Sequence, residues 1–305
     1  MASGQNQTLR QWYAEEIRWS SGTTDERIIR AFERVPREDF LPSGPWLFST
    51  AMIPEQFRET RDADLCNLYH NVVVAIDVAR DLNTALPSYM AAILEHANLT
   101  PGDRVCQVGA GLGYYSAIIA EIVGEAGTVL ALEIDSELAI QARANLASYR
   151  NVECISADGS AHPLYQDSFD SIIVNAGVSS IQHSWLKSLR DGGRLIVPLI
   201  FSEEEPGQMA RIMRLGDRFR VEFVMDTMVY PCSGSYDRVS ATSLRQAVEV
   251  FGWYSDTELR LDIENADESA WIVTPTYWIS MIEFAHVRGA LHFLEDASTD
   301  RGPKF

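Results

Sequence analysis

Arg104-Val105-Cys106-Gln107-Val108-Gly109-Ala110-Gly111-Leu112-Gly113-Tyr114-Tyr115 is the stretch whose reading decides the fold. An apolar run of strand length passes through three alternating glycines into a helical pattern. Glycine at such a junction lets the backbone take positive φ and approach a bound molecule closely. The helix that follows turns its positive end back toward that molecule.

Outward from this turn, strand and helix alternate. Strands are expected at 104–108, 128–133, 152–156, 169–175 and 193–200, with helices at 114–123, 136–147 and 181–189. The strands are continuous apolar runs, the pattern of a parallel sheet covered on both faces. The expected class is α/β, a doubly wound, Rossmann-like sheet with an N-terminal helical segment and a C-terminal α+β extension. Ligands of such sheets bind beyond the carboxyl ends of the strands.

Upstream, Leu9, Tyr13 and Ile17 share one helical face, and Thr23-x-x-Glu26 reads as a capping box. Ile28, Ile29, Phe32 and Val35 form the next apolar stripe, closed by Pro36. Residues 43–80 show little pattern beyond a strand at 72–76, and a helix follows at 87–98. Downstream, 208–214 and 219–225 read as a hairpin turning at Gly216-Asp217. A loop at 230–236, a helix at 241–251, Trp253, Trp271 and Trp278, and a loose tail at 296–305 complete the chain. The expected segments are 1–80 (helical cap), 81–235 (core) and 236–305 (extension).

The 305 residues are 46% hydrophobic and carry a net charge of −18. That composition supports a sizeable core and argues against a nucleic-acid partner, which calls for a basic face. The longest apolar runs are too short to span a bilayer, and the first residues lack a signal-peptide core. Cys66, Cys106, Cys154 and Cys232 show no metal-ligand spacing and read as reduced thiols of a cytoplasmic protein. No metal is expected.

Two cofactor classes use a strand–turn–helix of this kind. A dinucleotide turn wants a small residue where Tyr114 stands. Gly109-Ala110-Gly111-Leu112-Gly113 instead fits the turn of S-adenosylmethionine (SAM) methyltransferases, whose cofactor has no pyrophosphate. Glu133, ending the second strand, offers a carboxylate to both ribose hydroxyls. Asp158-Gly159, after the third, lies where an adenine amine is met, and Asn175 ends the fourth.

RVCQVGAGLGYYSAIIAEIVG, VLALEID, Asp158-Gly159 and GGRLIVPL, together with AFERVPREDFLP upstream, resemble the protein-L-isoaspartate O-methyltransferase family over roughly residues 25–235. The VPR turn, Tyr114 and the VP after the last core strand are the more specific features. The resemblance implies a divergent member that uses SAM, releases S-adenosylhomocysteine and methylates an isoaspartyl carboxylate in a protein or peptide. It implies cofactor contacts from Gly109, Gly111 and Leu112, from Glu133 and Ile134 at the ribose, and from Asp158 and Gly159 at the adenine. The family's active-site serine falls at Ala85 of Asn83-Thr84-Ala85-Leu86-Pro87, so Thr84 and Ser88 are the nearby hydroxyls taken as catalytic candidates. The acid that precedes the glycines in the family is Gln107 here.

A carboxylate acceptor is ionised at neutral pH and needs positioning rather than a general base. A hydroxyl acceptor would need one, and the candidates are His162 and His183, read as loop positions. Alternatives left open are a peptide natural product or small molecule as acceptor, an RNA methyltransferase, which the acidic balance disfavours, and a non-catalytic SAM-binding protein. Tyr230, Ser233 and Tyr236 lie in a loop that either covers the substrate or merely connects. The extension is a specificity cap, a dimer surface or packing.

Overall fold

The glycine turn joins two elements whose lengths match the sequence pattern, and the rest of the chain is arranged to hold them. The computed structural model describes residues 2–51, 56–202, 204–253, 257–261, 270–273 and 277–281. Compactness divides the chain into two units, Met1–Gly159 and Ser160–Phe305.

The first unit runs α1 (Ala2–Ser21), α2 (Glu26–Arg34), β1 (Leu47–Ser49), β2 (Arg58–Glu59), β3 (Val73–Asp77), β4 (Leu82–Asn83), α3 (Pro87–Ala97), β5 (Arg104–Val108), α4 (Tyr114–Val123), β6 (Thr128–Glu133), α5 (Ser136–Asn145) and β7 (Val152–Ser156). β6 lies between β5 and β7, and both pairings are parallel, Val108 opposite Leu132 and Glu133 opposite Ser156. This register brings the strand-end candidates to one edge, as the Rossmann-like class requires. β2, β1, β3 and β4 form a separate small antiparallel sheet in that order.

Tyr114 has a packing reason to be large. Its ring lies 5.6 Å from Phe40 and 6.3 Å from Phe32, and its hydroxyl is 3.3 Å from that of Tyr13. The start of α4 is thus docked into aromatics of the N-terminal segment, including the α1 face that holds Tyr13 and Ile17. Arg37 of the VPR turn is 1% exposed. It donates to the carbonyls of Leu68 (2.9 Å), His70 (3.0 Å) and Val72 (2.7 Å), and its guanidinium lies 5.7 Å from the centre of the Tyr13 ring. A buried cation whose two terminal nitrogens donate to carbonyls, its Nε left without a partner, fixes the chain entering β3.

The expected capping box is corrected. Asp25, not Thr23, caps α2, accepting from the Arg27 N–H at 2.8 Å. The Thr23 N–H, which Glu26 was to satisfy, donates to the Ser21 hydroxyl at 3.1 Å, while Glu26 pairs with Arg18 and the Asp25 N–H donates to Glu95 of α3 at 3.2 Å.

The second unit runs β8 (Phe169–Val174), α6 (His183–Ser188), β9 (Leu189–Leu199), β10 (Gly207–Leu215), β11 (Arg218–Thr227), α7 (Arg238–Phe251), β12 (Thr257–Arg260), β13 (Ala270–Val273) and β14 (Trp278–Met281). β8 and β9 are parallel, and β10, β11, β12, β14 and β13 continue from β9 with antiparallel pairings. β9 begins at Leu189, four residues before the expected 193, because the strand passes through an irregularity. Phe169 pairs with Leu189 but Ser171 with Arg194, so Gly192 (φ 76°) and Gly193 are absorbed within the strand.

The hairpin turns at Gly216-Asp217 as expected. Trp253 stacks on Phe201 at 6.0 Å and meets Phe223 edge-on at 5.0 Å, a packing role. The tail at 296–305 lies outside the described residues.

Candidate active site

At the glycine turn all three glycines take left-handed φ: 83° at Gly109, 55° at Gly111 and 92° at Gly113. Gly109 and Ala110 donate their N–H groups to the Leu132 carbonyl at 2.9 and 3.1 Å, which ties the turn to the end of β6. A Cβ at Gly113 would stand 2.8 Å from Leu146 Cδ1, whereas a Cβ at Gly111 would meet nothing within 4 Å. One glycine is required by packing and the other borders open space. Gly113 caps α4 without a side chain, leaving backbone donors of its first turn for a ligand's acceptor. Leu112 is buried, and its carbonyl accepts from Asn145 at 3.0 Å.

Glu133 is 6% exposed. One carboxylate oxygen accepts from the Gly111 N–H at 2.7 Å and the other from Asp135 N–H at 2.9 Å. Burial pushes the group above the ordinary glutamate range, against the pull of those donors. A carboxylate has about four acceptor positions, so two donors leave room for a pair of ribose hydroxyls. The following residue, Ile134, is 54% exposed, an apolar surface at the strand end. A Cβ at Gly159 would lie 2.5 Å from Val108 Cγ1, so only glycine lets the chain after β7 pass against the end of β5. That close approach brings the chain at Gly159 against Val108, the residue before the turn. Uncapped donors, an acid with free acceptor positions and an apolar surface fit the methionine end, ribose and base of SAM in turn.

Gln107 is fully buried. Its Oε1 accepts from the Ser116 hydroxyl at 2.7 Å, linking β5 to α4, while its Nε2 has no partner. Asn175 follows β8 in the second unit.

Ala85 is one of the few non-glycine residues with positive φ, 56°. Its N–H donates to Asn83 Oδ1 at 2.9 Å. Its carbonyl accepts from the hydroxyls of Thr84 (3.2 Å) and Tyr115 (3.3 Å). Thr84 Oγ1 also accepts from the Val74 N–H at 3.0 Å and lies 3.5 Å from Arg37 Nη2. Ser88 is buried, exchanging two 2.9 Å bonds with the Asn71 amide. The two hydroxyls taken as catalytic candidates thus hold the segment's shape. Sequence reading missed Asn83, Asn71 and Tyr115; only Asn83, two residues before the strained position, carries a local signal.

His162 lies in the connection from β7 to β8, and His183 opens α6 rather than lying in a loop. The 230–236 loop is stitched to the segment after β8: Gly177 N–H donates to the Tyr230 carbonyl (2.8 Å), Cys232 N–H to Gly177 (2.7 Å) and Ser179 N–H to Ser235 (3.0 Å). Tyr230 and Ser233 remain exposed and Tyr236 is half-buried. Among the described residues no group of three or more His, Cys, Asp or Glu side chains is placed to hold a metal ion.

A family model described as Protein-L-isoaspartate(D-aspartate) O-methyltransferase matches residues 13–235. A protein-L-isoaspartate O-methyltransferase from Methanothrix thermoacetophila is 30% identical over 213 residues, 69% of this chain and 90% of that protein. One from Methanoregula boonei is 32% identical over 218 residues, 70% and 88% of the two chains. A solved structure of a protein-L-isoaspartate O-methyltransferase superposes with a TM-score of 0.61 at 24% identity, covering 77% of this chain and 70% of that one. A Plasmodium falciparum structure described as such an enzyme in complex with S-adenosyl-L-homocysteine gives 0.58 at 17% identity, covering 74% and 99%. The glycine turn, Glu133 and Asp158 all fall within the matched residues, and the chain belongs to the protein-L-isoaspartate(D-aspartate) O-methyltransferase family of SAM-dependent methyltransferases.

Proposed function

We propose that the chain transfers the methyl group of SAM to the side-chain carboxylate of an isoaspartyl residue in a protein or peptide. The observation that carries this reading is the donor site: three left-handed glycines whose turn is hydrogen-bonded to Glu133. A carboxylate oxygen attacks the methyl carbon, the C–S bond breaks with its electron pair going to sulfur, and a methyl ester and S-adenosylhomocysteine result. No proton moves, which agrees with the structural hydrogen bonds that engage the hydroxyls nearest Ala85 in sequence, Thr84 and Ser88. Gly109, Ala110, Gly111, Leu112 and Gly113 hold the methionine end, Glu133 and Ile134 the ribose, and Asp158 and Gly159 the base, which the Ile134 side chain also flanks; Asn175 is a further cofactor-contact candidate. Thr84 and Ser88 shape the acceptor segment rather than react.

Ala85 favours a second reading of the same chemistry, with a peptide natural product as acceptor, because the family's hydroxyl is absent there. Four free cysteines support a reducing, cytoplasmic setting, and the acidic balance supports a polypeptide rather than a nucleic-acid partner. No described helix is long and apolar enough to cross a membrane. The segments 1–80, 81–235 and 236–305 serve as cap, core and extension, the last being a candidate surface for self-association.

The test is methyl transfer from labelled SAM to matched isoaspartyl and aspartyl peptides. Base-labile label on the isoaspartyl peptide alone supports the first reading. SAM binding without isoaspartyl turnover, restored by Ala85→Ser, supports the second. Base-stable label on any acceptor overturns the carboxylate assignment.

A further inference from the structure

The hairpin of β3 and β4 does more than lead into α3. Its tip is a 3-10 turn, Val78–Arg80, capped by Asp77, whose carboxylate accepts from the Ala79 N–H at 3.0 Å. The Arg80 guanidinium donates to Asp77 Oδ2 at 2.7 Å within the tip. It also donates to Asp135 Oδ2, and its Nη2 stands 3.8 Å from Glu137. Asp135 is two residues beyond Glu133, caps α5 through the N–H groups of Glu137 and Leu138, and donates its own N–H to Glu133. An unbroken run of hydrogen bonds therefore leads from the hairpin tip through Arg80, Asp135 and Glu133 to Gly111.

Two large aliphatic side chains flank the joint of this run. Val78 follows Asp77 and is 50% exposed, and Ile134 precedes Asp135 and is 54% exposed. A single exposed aliphatic residue needs no explanation. These two are adjacent in sequence to two carboxylates gripped by one guanidinium, which sets both exposed residues near the joint and Ile134 directly after the acid assigned to the ribose. A purine has two flat, largely apolar faces, and one strand-end side chain covers only one of them.

We propose that the hairpin is the second wall of the adenosine subsite: Arg80 latches the tip to Asp135, and Val78 covers the purine face that Ile134 leaves open. The inference rests on the SAM reading of the glycine turn and adds residues outside it. Arg80 is a positioning residue, and Val78 is the contact.

The full chain is titrated by calorimetry with S-adenosylhomocysteine and with 5′-methylthioadenosine, which keeps the adenosine and lacks the amino-acid end. Loss of one partly exposed ion-pair network is expected to weaken both ligands by about three- to fivefold in Arg80→Ala. Because the latch is electrostatic, added salt should weaken wild-type binding more than that of the variant. Val78→Asp should weaken both ligands at least as much, and Val78→Leu should retain them. Val78 is exposed, so these variants keep the test open should Arg80→Ala fold poorly; the melting temperatures of the unliganded proteins monitor folding. Wild-type affinity in both Arg80→Ala and Val78→Asp overturns the latch, as does weakening confined to S-adenosylhomocysteine. A wild-type chain that binds neither ligand instead overturns the cofactor reading, and the latch with it.

Discussion

Two stretches of the first unit hold residues in the left-handed region, by opposite means. At 109–113 three glycines adopt positive φ because glycine does so at little cost. At 85 an alanine is forced there, its N–H given to Asn83 and its carbonyl held by Thr84 and Tyr115. The donor turn carries its conformation in its own residues, while the acceptor segment receives it from neighbours. The difference teaches that the conformation of the glycine turn, the proposed seat of the methyl donor, is intrinsic to a short sequence, whereas that of the segment at 85, the proposed seat of the acceptor, is a tertiary product that can be retuned by its surroundings.

The sharpest way to break this contrast is at Glu133, which accepts from the turn and is the proposed ribose partner. Glu133→Ala removes the acceptor of two N–H groups and the proposed ribose partner. Hydrogen bonds to a charged group contribute about 1.5–3 kcal/mol each, so S-adenosylhomocysteine affinity should fall about 100-fold or more by calorimetry. Glu133→Gln, which keeps the shape, should lose about tenfold. The same residue sets a pH dependence. Its folded value lies above the unfolded one, so its contribution to stability of the unliganded protein is fully present below the ordinary glutamate value. That contribution is lost as pH rises through the raised value. On the proposed ribose contact ligand affinity runs the other way, because the hydroxyls would donate to the ionised carboxylate. Affinity should therefore fall with acidification at a higher pH than an ordinary glutamate would give, and Glu133→Gln should flatten the profile.

A smaller effect separates the glycines from one another. Gly113→Ala combines a positive φ of 92° with a contact of 2.8 Å to Leu146, and should destabilise the fold by about 2–3 kcal/mol in denaturant titration. Gly111→Ala has open space around it and a φ of 55°, near the left-handed minimum. It should cost about 1 kcal/mol and act instead on ligand affinity. Equal stability losses at the two positions would show that Leu146 yields, and that packing does not distinguish them.

What was legible in the sequence follows the same division. β5, α4 and β6 have the expected bounds because their signals are local: an apolar run, glycines, another apolar run. The true N-cap of α2 was obscured because Thr23, which fits a capping box, is instead bonded to Ser21 at the end of α1, leaving Asp25 to cap. The start of β9 was hidden by Gly192-Gly193, which reads as a loop yet is bulged into the strand. Of the small sheet at 47–83 only β3 was legible, as the strand expected at 72–76; β1, β2 and β4 are two or three residues long, too short for a period to show, and the chain entering β3 is held by Arg37 through backbone carbonyls, which leave no mark in sequence. At the candidate site, Glu133 and Asp158 could be found by counting strand ends. Arg80 and Tyr115 could not, since each acts on a residue far away in the chain.

The smallest predicted effects lie at the acceptor segment, where they discriminate best. Ala85→Gly relieves a left-handed alanine, worth about 1 kcal/mol, but frees the unfolded chain by a comparable amount. Stability should move by less than about 1 kcal/mol, and the segment should loosen. Tyr115→Phe removes one hydroxyl bond to the Ala85 carbonyl, about 1 kcal/mol, without touching the glycine turn. If Ala85 is held by its neighbours for the sake of the acceptor, both variants lower kcat for methyl transfer while S-adenosylhomocysteine affinity stays within about twofold of wild type. Parallel loss of kcat and ligand affinity would mean that donor and acceptor segments form one unit, and the contrast between them would fail. Unchanged kcat in both would mean that the left-handed alanine is a packing accident with no bearing on the acceptor.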